Sequence, residues 1–222
     1  MLDAILFDLD GTLADTDSIH FAVWQDILVR YELDIDRSFY RQRISGRTNS
    51  KIIKDIIPQL TLEDAWKLAT EKEETYRRLA NSLLPTPGLD RLIELTDRAK
   101  IKRAVVTNAP EDNAVYMLKI LHLTDTFPTV IMAKDAPPGK PDPAPYKLAL
   151  NRLVVKSKKA IAFEDSAAGI RSAVSAGIYT IGITSSHPAE DLLSAGASMT
   201  IADFNDEQLW KFLDSKTKAS HE

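Results

Sequence analysis

Apolar residues are spaced in two ways along the chain, and the change between them divides it. Ala4-Ile5-Leu6-Phe7 is a continuous apolar run, long enough for a strand buried on both faces, and it stops at the carboxylate of Asp8. Over residues 18–31 the spacing becomes helical (Ile19, Val23, Trp24, Ile27, Leu28, Tyr31), with Asp15, Thr16, Asp17 and Ser18 all offering N-cap oxygens. A second helix is expected over 49–57, stopped by Pro58, and a third over 62–83, capped by Thr61 with Glu63 and Asp64 suiting its dipole. Pro85, Pro87 and Gly88 close this strand-free stretch. Residues 15–87 therefore read as a helical cap inserted into a domain made of residues 1–14 and 88–222.

Beyond Gly88 the two spacings alternate. Helices are expected over 89–99, 111–121, 142–153 and 167–176, the last capped by Ser166. Strands are expected over 103–107, 129–132, 160–163, 179–183 and 199–201. Strands that alternate with helices run parallel through right-handed crossovers. The fold class is α/β: a doubly wound, Rossmann-like parallel-sheet core with an inserted helical-bundle cap. Residues 215–222 are polar and expected to fray.

The polar residues that interrupt this pattern gather at strand exits. In a parallel sheet all carboxyl ends face one way, so residues far apart in sequence meet on one rim. The first strand delivers Asp8 and Asp10, the second Thr107 and Asn108, the fourth Glu164 and Asp165. Two carboxylates at the end of a buried strand must be paired, hydrogen-bonded or bound to a metal. Mg²⁺ is the simplest partner, since it takes one or two carboxylates and keeps positions for water and phosphate oxygen. With the metal in place, one carboxylate can attack phosphorus and the other can move a proton. Thr107 and Asn108 can donate to phosphate oxygens, and Lys140, on a loop stiffened by Pro137, Pro138, Pro141, Pro143 and Pro145, brings a fixed positive charge. Asp165 can complete an oxygen-rich metal site with Asp8 and the main-chain carbonyl of Asp10, and Glu164 can ligate the metal or orient its water. Taken singly these are an acidic turn, a strand exit, a loop lysine and a helix cap. Their joint order on one rim points to an active site.

Composition narrows the partners. Of 222 residues, 28 are basic and 32 acidic, a net charge of -4, and no basic block that could track a nucleic-acid backbone is visible. Zero cysteines exclude disulfides and thiolate metal sites. No apolar run reaches the length of a membrane span. The first residues run straight into a strand without the basic and apolar stretches of an export signal, so a cytoplasmic protein is expected. No coiled-coil heptad argues for self-association, and a monomer is the default expectation.

The ordered motifs Asp8-x-Asp10, Thr107-Asn108, Lys140 and Glu164-Asp165 resemble those of the haloacid dehalogenase superfamily, in its branch of phosphatases and β-phosphoglucomutases. The resemblance runs from Asp8 to Ile183. It implies that Asp8 is a nucleophile forming an aspartyl-phosphate and that Asp10 is general acid and base. It implies further that Thr107 and Lys140 hold the phosphoryl group, and that Asp8, Asp165 and the Asp10 carbonyl hold Mg²⁺. Relatives that cleave carbon-halogen or carbon-phosphorus bonds lack an aspartate where Asp10 stands, which points to phosphate esters. On the cap, His20, Gly46, Arg47, Asn49 and Lys72 are candidates for reading the leaving group, whereas Trp24 and Trp66 are expected to pack its interior. Mutases similar to this chain carry a serine and a lysine shortly after the second motif to clamp a distal phosphate, and here the stretch reads Ala109-Pro110-Glu111. The expectation is Mg²⁺-dependent hydrolysis of a small phosphomonoester, of the sugar phosphate or phosphoglycolate type. A β-phosphoglucomutase-like mutase is the alternative.

Overall fold

A computed structural model describes residues 1–217. Strands β1 (Ala4–Phe7), β2 (Lys102–Val106), β3 (Val130–Ile131), β4 (Ala160–Glu164), β5 (Tyr179–Ile183) and β6 (Met199–Ile201) form one sheet in the order β3-β2-β1-β4-β5-β6, every pairing parallel. This is the doubly wound core expected from the alternating pattern. The chain's direction across the sheet reverses between β1 and β4, where open α/β sheets bind ligands.

Each strand sends alternate side chains to opposite faces. Ile5, Phe7, Val105, Phe163 and Ile181 join one buried cluster with helices α5 (Leu89–Ala99), α6 (Glu111–Ile120) and α10 (Glu207–Thr217). Ala4, Leu6, Ala104, Val106 and Ala162 join another with α7 (Ala144–Leu153) and α8 (Ala167–Ser175). Covered on both faces, β1 has no exposed residue. Phe7 stacks on Phe163 at 5.5 Å and meets Phe127 and Phe204 edge-on at 5.4 and 6.1 Å.

Between β1 and α5 the chain builds α1 (Asp17–Val29), α2 (Arg37–Arg43), α3 (Asn49–Ile56) and α4 (Leu62–Leu79) around a separate apolar cluster that includes Val23, Trp24, Tyr40, Ile53 and Leu68. Its entry and exit are stitched together. The Thr86 N–H donates to the Leu13 carbonyl at 2.9 Å, its hydroxyl donates to the Thr12 carbonyl at 2.7 Å, and Ala14 bridges Pro85.

Several expectations need correction. The third cap helix ends at Leu79 rather than near residue 83, because the chain must turn back to meet Leu13 and Ala14. The pattern does not predict α2, a seven-residue turn of mostly polar composition started by Asp36, whose carboxylate accepts from the Phe39 N–H at 2.7 Å. Nor does it predict α9 (Ala189–Ser194) or α10. The tail expected to fray is helical through Thr217, and its last residues lie outside the described residues. Trp66 does not pack inside the helical segment: it is 69% exposed. The buried stripe of α4 runs Leu68, Lys72, Tyr76 at steps of four, and a residue two positions from Leu68 points the opposite way.

Phe7→Ala should lower the unfolding free energy by about 3–5 kcal/mol in a denaturant titration. Trp66→Ala should change it by less than about 0.5 kcal/mol.

Candidate active site

Because β1 lies between β2 and β4, their exits are neighbours about 4.8 Å apart. Asp8 follows the last residue of β1, Thr107 follows β2, and Glu164 and Asp165 end and follow β4. All four are buried. Gly11 takes φ +76°, and a Cβ there would overlap the Asp165 carboxylate, so the turn after Asp10 closes onto β4 only without a side chain.

Lys140 reaches into this rim from the loop between β3 and α7. Its ammonium donates to Asp8 Oδ1 and to Glu164 Oε1, both at 2.5 Å. The Tyr146 hydroxyl donates to the same Glu164 oxygen at 2.5 Å, and the Ser186 hydroxyl donates to Asp165 Oδ2 at 2.5 Å. Burial disfavours the Lys140 ammonium, yet Asp8 and Glu164 outweigh it and hold its pKa above the ordinary value. For Asp8, Glu164 and Asp165, burial comes first; repulsion adds to it, from Asp10 at Asp8, from Asp8 at Glu164, and from Asp8 and Glu164 at Asp165, and the carboxyls are pushed upward despite Lys140 beside the first two. With all three carboxyls ionised, one ammonium would leave the cluster two negative charges in excess, and their raised pKa values express that imbalance. Oxygens of Asp8, Glu164 and Asp165 lie within 4.8 Å of one another, and Glu164 Oε2 has no hydrogen-bond partner among the described residues. An all-oxygen donor set with an unsatisfied buried acceptor is the chemistry of a hard divalent cation.

Asp10 turns its side chain the other way. Its Oδ1 accepts from the Thr16 hydroxyl at 2.9 Å and from His20 Nε2 at 3.0 Å. His20 Nδ1 in turn faces the Lys72 ammonium at 2.9 Å, and its ring stacks on Tyr76 with centroids 4.1 Å apart. An ammonium only donates, so Nδ1 must accept and the ring hydrogen sits on Nε2, aimed at Asp10. Burial works against the Asp10 charge, but the His20 hydrogen bond, with Thr16 and Lys72 behind it, brings the pKa below the ordinary carboxylate value. Thr16, expected as one of the possible helix caps, makes no cap hydrogen bond and spends its hydroxyl on Asp10 instead.

Asp8, Asp10, Thr107, Asn108, Lys140, Asp165, His20, Gly46, Arg47, Asn49 and Lys72 all line one cleft of about 690 Å³ between the sheet rim and the helical segment. Glu164 lies beneath it, fully buried. Their surroundings differ. Thr107 Oγ1 accepts the Ala109 N–H at 2.9 Å and keeps its hydrogen to donate. The Asn108 amide donates to the Gly46 carbonyl at 3.0 Å and accepts the Lys140 N–H at 3.0 Å, bracing the lysine loop. Gly46, at φ +71°, brings the loop after α2 against Ser166, where a Cβ would collide. Arg47 is held within the helical segment by Asp55 and the Arg43 carbonyl.

A family model described as haloacid dehalogenase-like hydrolase matches residues 5–183. The chain belongs to that family. It is 32% identical to a phosphorylated carbohydrates phosphatase of Thermotoga maritima, across 88% of this chain and 92% of that protein. It is 28% identical to a β-phosphoglucomutase of Bacillus subtilis, across 84% and 85%. Among solved structures, a HAD hydrolase of family IA, variant 3, from Entamoeba histolytica superposes with a TM-score of 0.85 at 29% identity, covering 98% of this chain and all of the other.

Sequence reasoning about this hydrolase misses Tyr146, Ser186, Tyr76, Glu73 and Asn113. The first two are single hydroxyls on ordinary-looking segments. Glu73 had a signal beside it: Lys72 occupies a buried position in the stripe of α4, and a lysine there needs an acceptor.

Replacing His20 by Ala removes the donor that holds Asp10 ionised. The midpoint of the Asp10 carboxyl in a ¹³C NMR titration should therefore move to higher pH, while an unchanged or lower midpoint contradicts the His20 contact.

Proposed function

We propose that this haloacid dehalogenase-like hydrolase is a Mg²⁺-dependent phosphatase of small phosphomonoesters, sugar phosphates foremost, working through an aspartyl-phosphate on Asp8. The observation that carries this is the pairing of two carboxylates with opposite environments at one strand exit: Asp8 buried against Lys140, and Asp10 turned to a histidine that donates to it. Held beside Lys140 and within reach of Asp165, Asp8 takes the nucleophile's place, and Asp10, turned to the donors of the helical segment, takes proton transfer. The Thermotoga maritima relative, named for phosphorylated carbohydrates, supports the same substrate class.

In the first step an oxygen of Asp8 attacks phosphorus, the bond from phosphorus to the ester oxygen breaks, and that oxygen takes a proton from the protonated form of Asp10, a form that the His20 and Thr16 contacts make the minor one. Asp10, now ionised, then takes a proton from water as the water oxygen attacks the phosphorus of the aspartyl-phosphate. The bond to Asp8 breaks and phosphate leaves. The contacts that lower the Asp10 pKa favour the base form that the second step uses. Lys140 orients Asp8 for attack, and the free hydrogen of Thr107 is available to a phosphoryl oxygen. Asp8, Asp165 and the Asp10 carbonyl would hold Mg²⁺, with Glu164 as ligand or brace, and the ion when bound supplies the positive charge that a phosphoryl group needs among three carboxylates. Residues 15–87 act as a cap whose residues read the leaving group and exclude water during attack.

Hydrolysis is favoured over a mutase because the stretch where similar mutases carry a serine and a lysine reads Ala109-Pro110-Glu111 here and lines the cleft, with Glu111 paired to Lys134. Purified protein and Mg²⁺ should release free phosphate from members of a panel of phosphate esters. Asp8→Asn should reduce that release by at least a thousandfold, and chelation should abolish it until Mg²⁺ is restored. Isomerised sugar phosphate without free phosphate selects the mutase, and appreciable release by Asp8→Asn overturns the nucleophile.

A further inference from the structure

The α4 wall of the cleft carries a buried carboxylate that the chemistry above does not use. Glu73 Oε1 accepts from the Asn49 amide at 2.5 Å and from the Lys72 ammonium at 3.0 Å, and Oε2 accepts from the Asn113 amide at 2.5 Å. These donors come from three elements: α3, α4 itself, and α6 of the core. Asn113 is completed by Arg77, which donates to its Oδ1 at 2.7 Å. Glu73, Asn49, Asn113 and Arg77 all line the cleft.

A carboxylate offers about four acceptor positions, two on each oxygen. Three are filled here, and the fourth is on Oε2. Burial opposes the Glu73 charge, but Lys72, His20 and the Asn49 amide outweigh it and lower its pKa, so the group is an ionised acceptor without a proton of its own to give. Such a position accepts an O–H or N–H donor. It has nothing to offer a phosphate or carboxylate, and its charge repels them.

We propose that Glu73 is a specificity-determining residue: its open acceptor position takes a hydroxyl hydrogen of the leaving group, so that the cleft selects phosphate esters of polyhydroxylated alcohols. This deepens the phosphatase reading and rests on it. A site built to accept from a hydroxyl rejects an ester lacking one more strongly than an apolar pocket of the same size would, because its buried acceptor is then left short of a partner.

The competing role is purely structural, a brace between α4 and α6, and kinetics separate the two. Hexose and hexitol monophosphates are compared with phenyl phosphate, an ester without hydroxyls, in the wild type and in Glu73→Gln. The ratio of kcat/KM for the best sugar ester to that for phenyl phosphate should fall at least tenfold in the variant, with the fall carried by the KM of the sugar ester. An equal loss on both esters, or an unchanged ratio, overturns the proposal. Glu73→Asp, which keeps the charge but withdraws it by one methylene, should show the same fall should the Gln variant not fold. If the wild type hydrolyses none of these esters, the phosphatase reading fails by itself. Calorimetric binding of the same esters then decides the role of Glu73: sugar esters alone weakened tenfold or more supports it, and equal or no weakening overturns it.

Discussion

One ammonium group held between two buried carboxylates organises this protein. Lys140 contacts Asp8 at the exit of β1 and Glu164 at the end of β4 at the same distance, and thereby joins the two strands between which the sheet's direction reverses. Burying such charges costs several kcal/mol per ion unless geometry and further hydrogen bonds offset it. Here the surroundings are arranged to do that: Asn108 pins the lysine's main chain, Tyr146 supports Glu164, and Ser186 supports Asp165. The balance is still incomplete, with three carboxylates to one ammonium. A ligand that brings positive charge and binds only the folded chain would add stability by mass action, so occupancy of the rim and integrity of the sheet are thermodynamically linked.

The second carboxylate is governed from elsewhere. Asp8 takes its environment from the sheet, whereas Asp10 takes its partners from Thr16, His20 and, through the imidazole, Lys72. The lysine matters because of what it cannot do. Lacking an acceptor, it leaves the imidazole one tautomer, and that tautomer points its hydrogen at Asp10. Two aspartates two residues apart thus have opposite pKa shifts, one set by burial in the core and the other by donors on the helical segment.

The sheet and its rim were legible because period-two and period-3.6 spacing are properties of the chain itself. Ala4-Ile5-Leu6-Phe7 can only be a covered strand if it is a strand at all, and the order of its polar exits follows from parallel pairing. The short α2 was not legible, since seven mostly polar residues carry no periodicity and their helix depends on an Asp36 cap and on Tyr40 finding a core. Trp66 was misjudged because an aromatic residue in an amphipathic helix is normally assigned inward, and only the true phase of the stripe, marked by Lys72, shows that it faces out. The partners of Glu73 were out of reach for another reason. Asn49, Lys72 and Asn113 are brought together by tertiary packing, and no local spacing relates residue 113 to residue 73.

The stitched passage at Leu13 and Thr86 bears on how such a protein can change. The helical segment leaves and rejoins the sheet at one seam, so the strand order does not depend on how the intervening chain is folded, although Gly46 and Lys51 of the segment reach Asn108 and Pro138 beside Lys140. Different inserts can be grafted at that seam without re-engineering the sheet. Yet Thr16 and His20 belong to the insert and touch Asp10, so a graft would replace part of the proton machinery together with the selectivity. Inheritance of the two is coupled, and an exchanged insert can succeed only if it brings its own donor for Asp10.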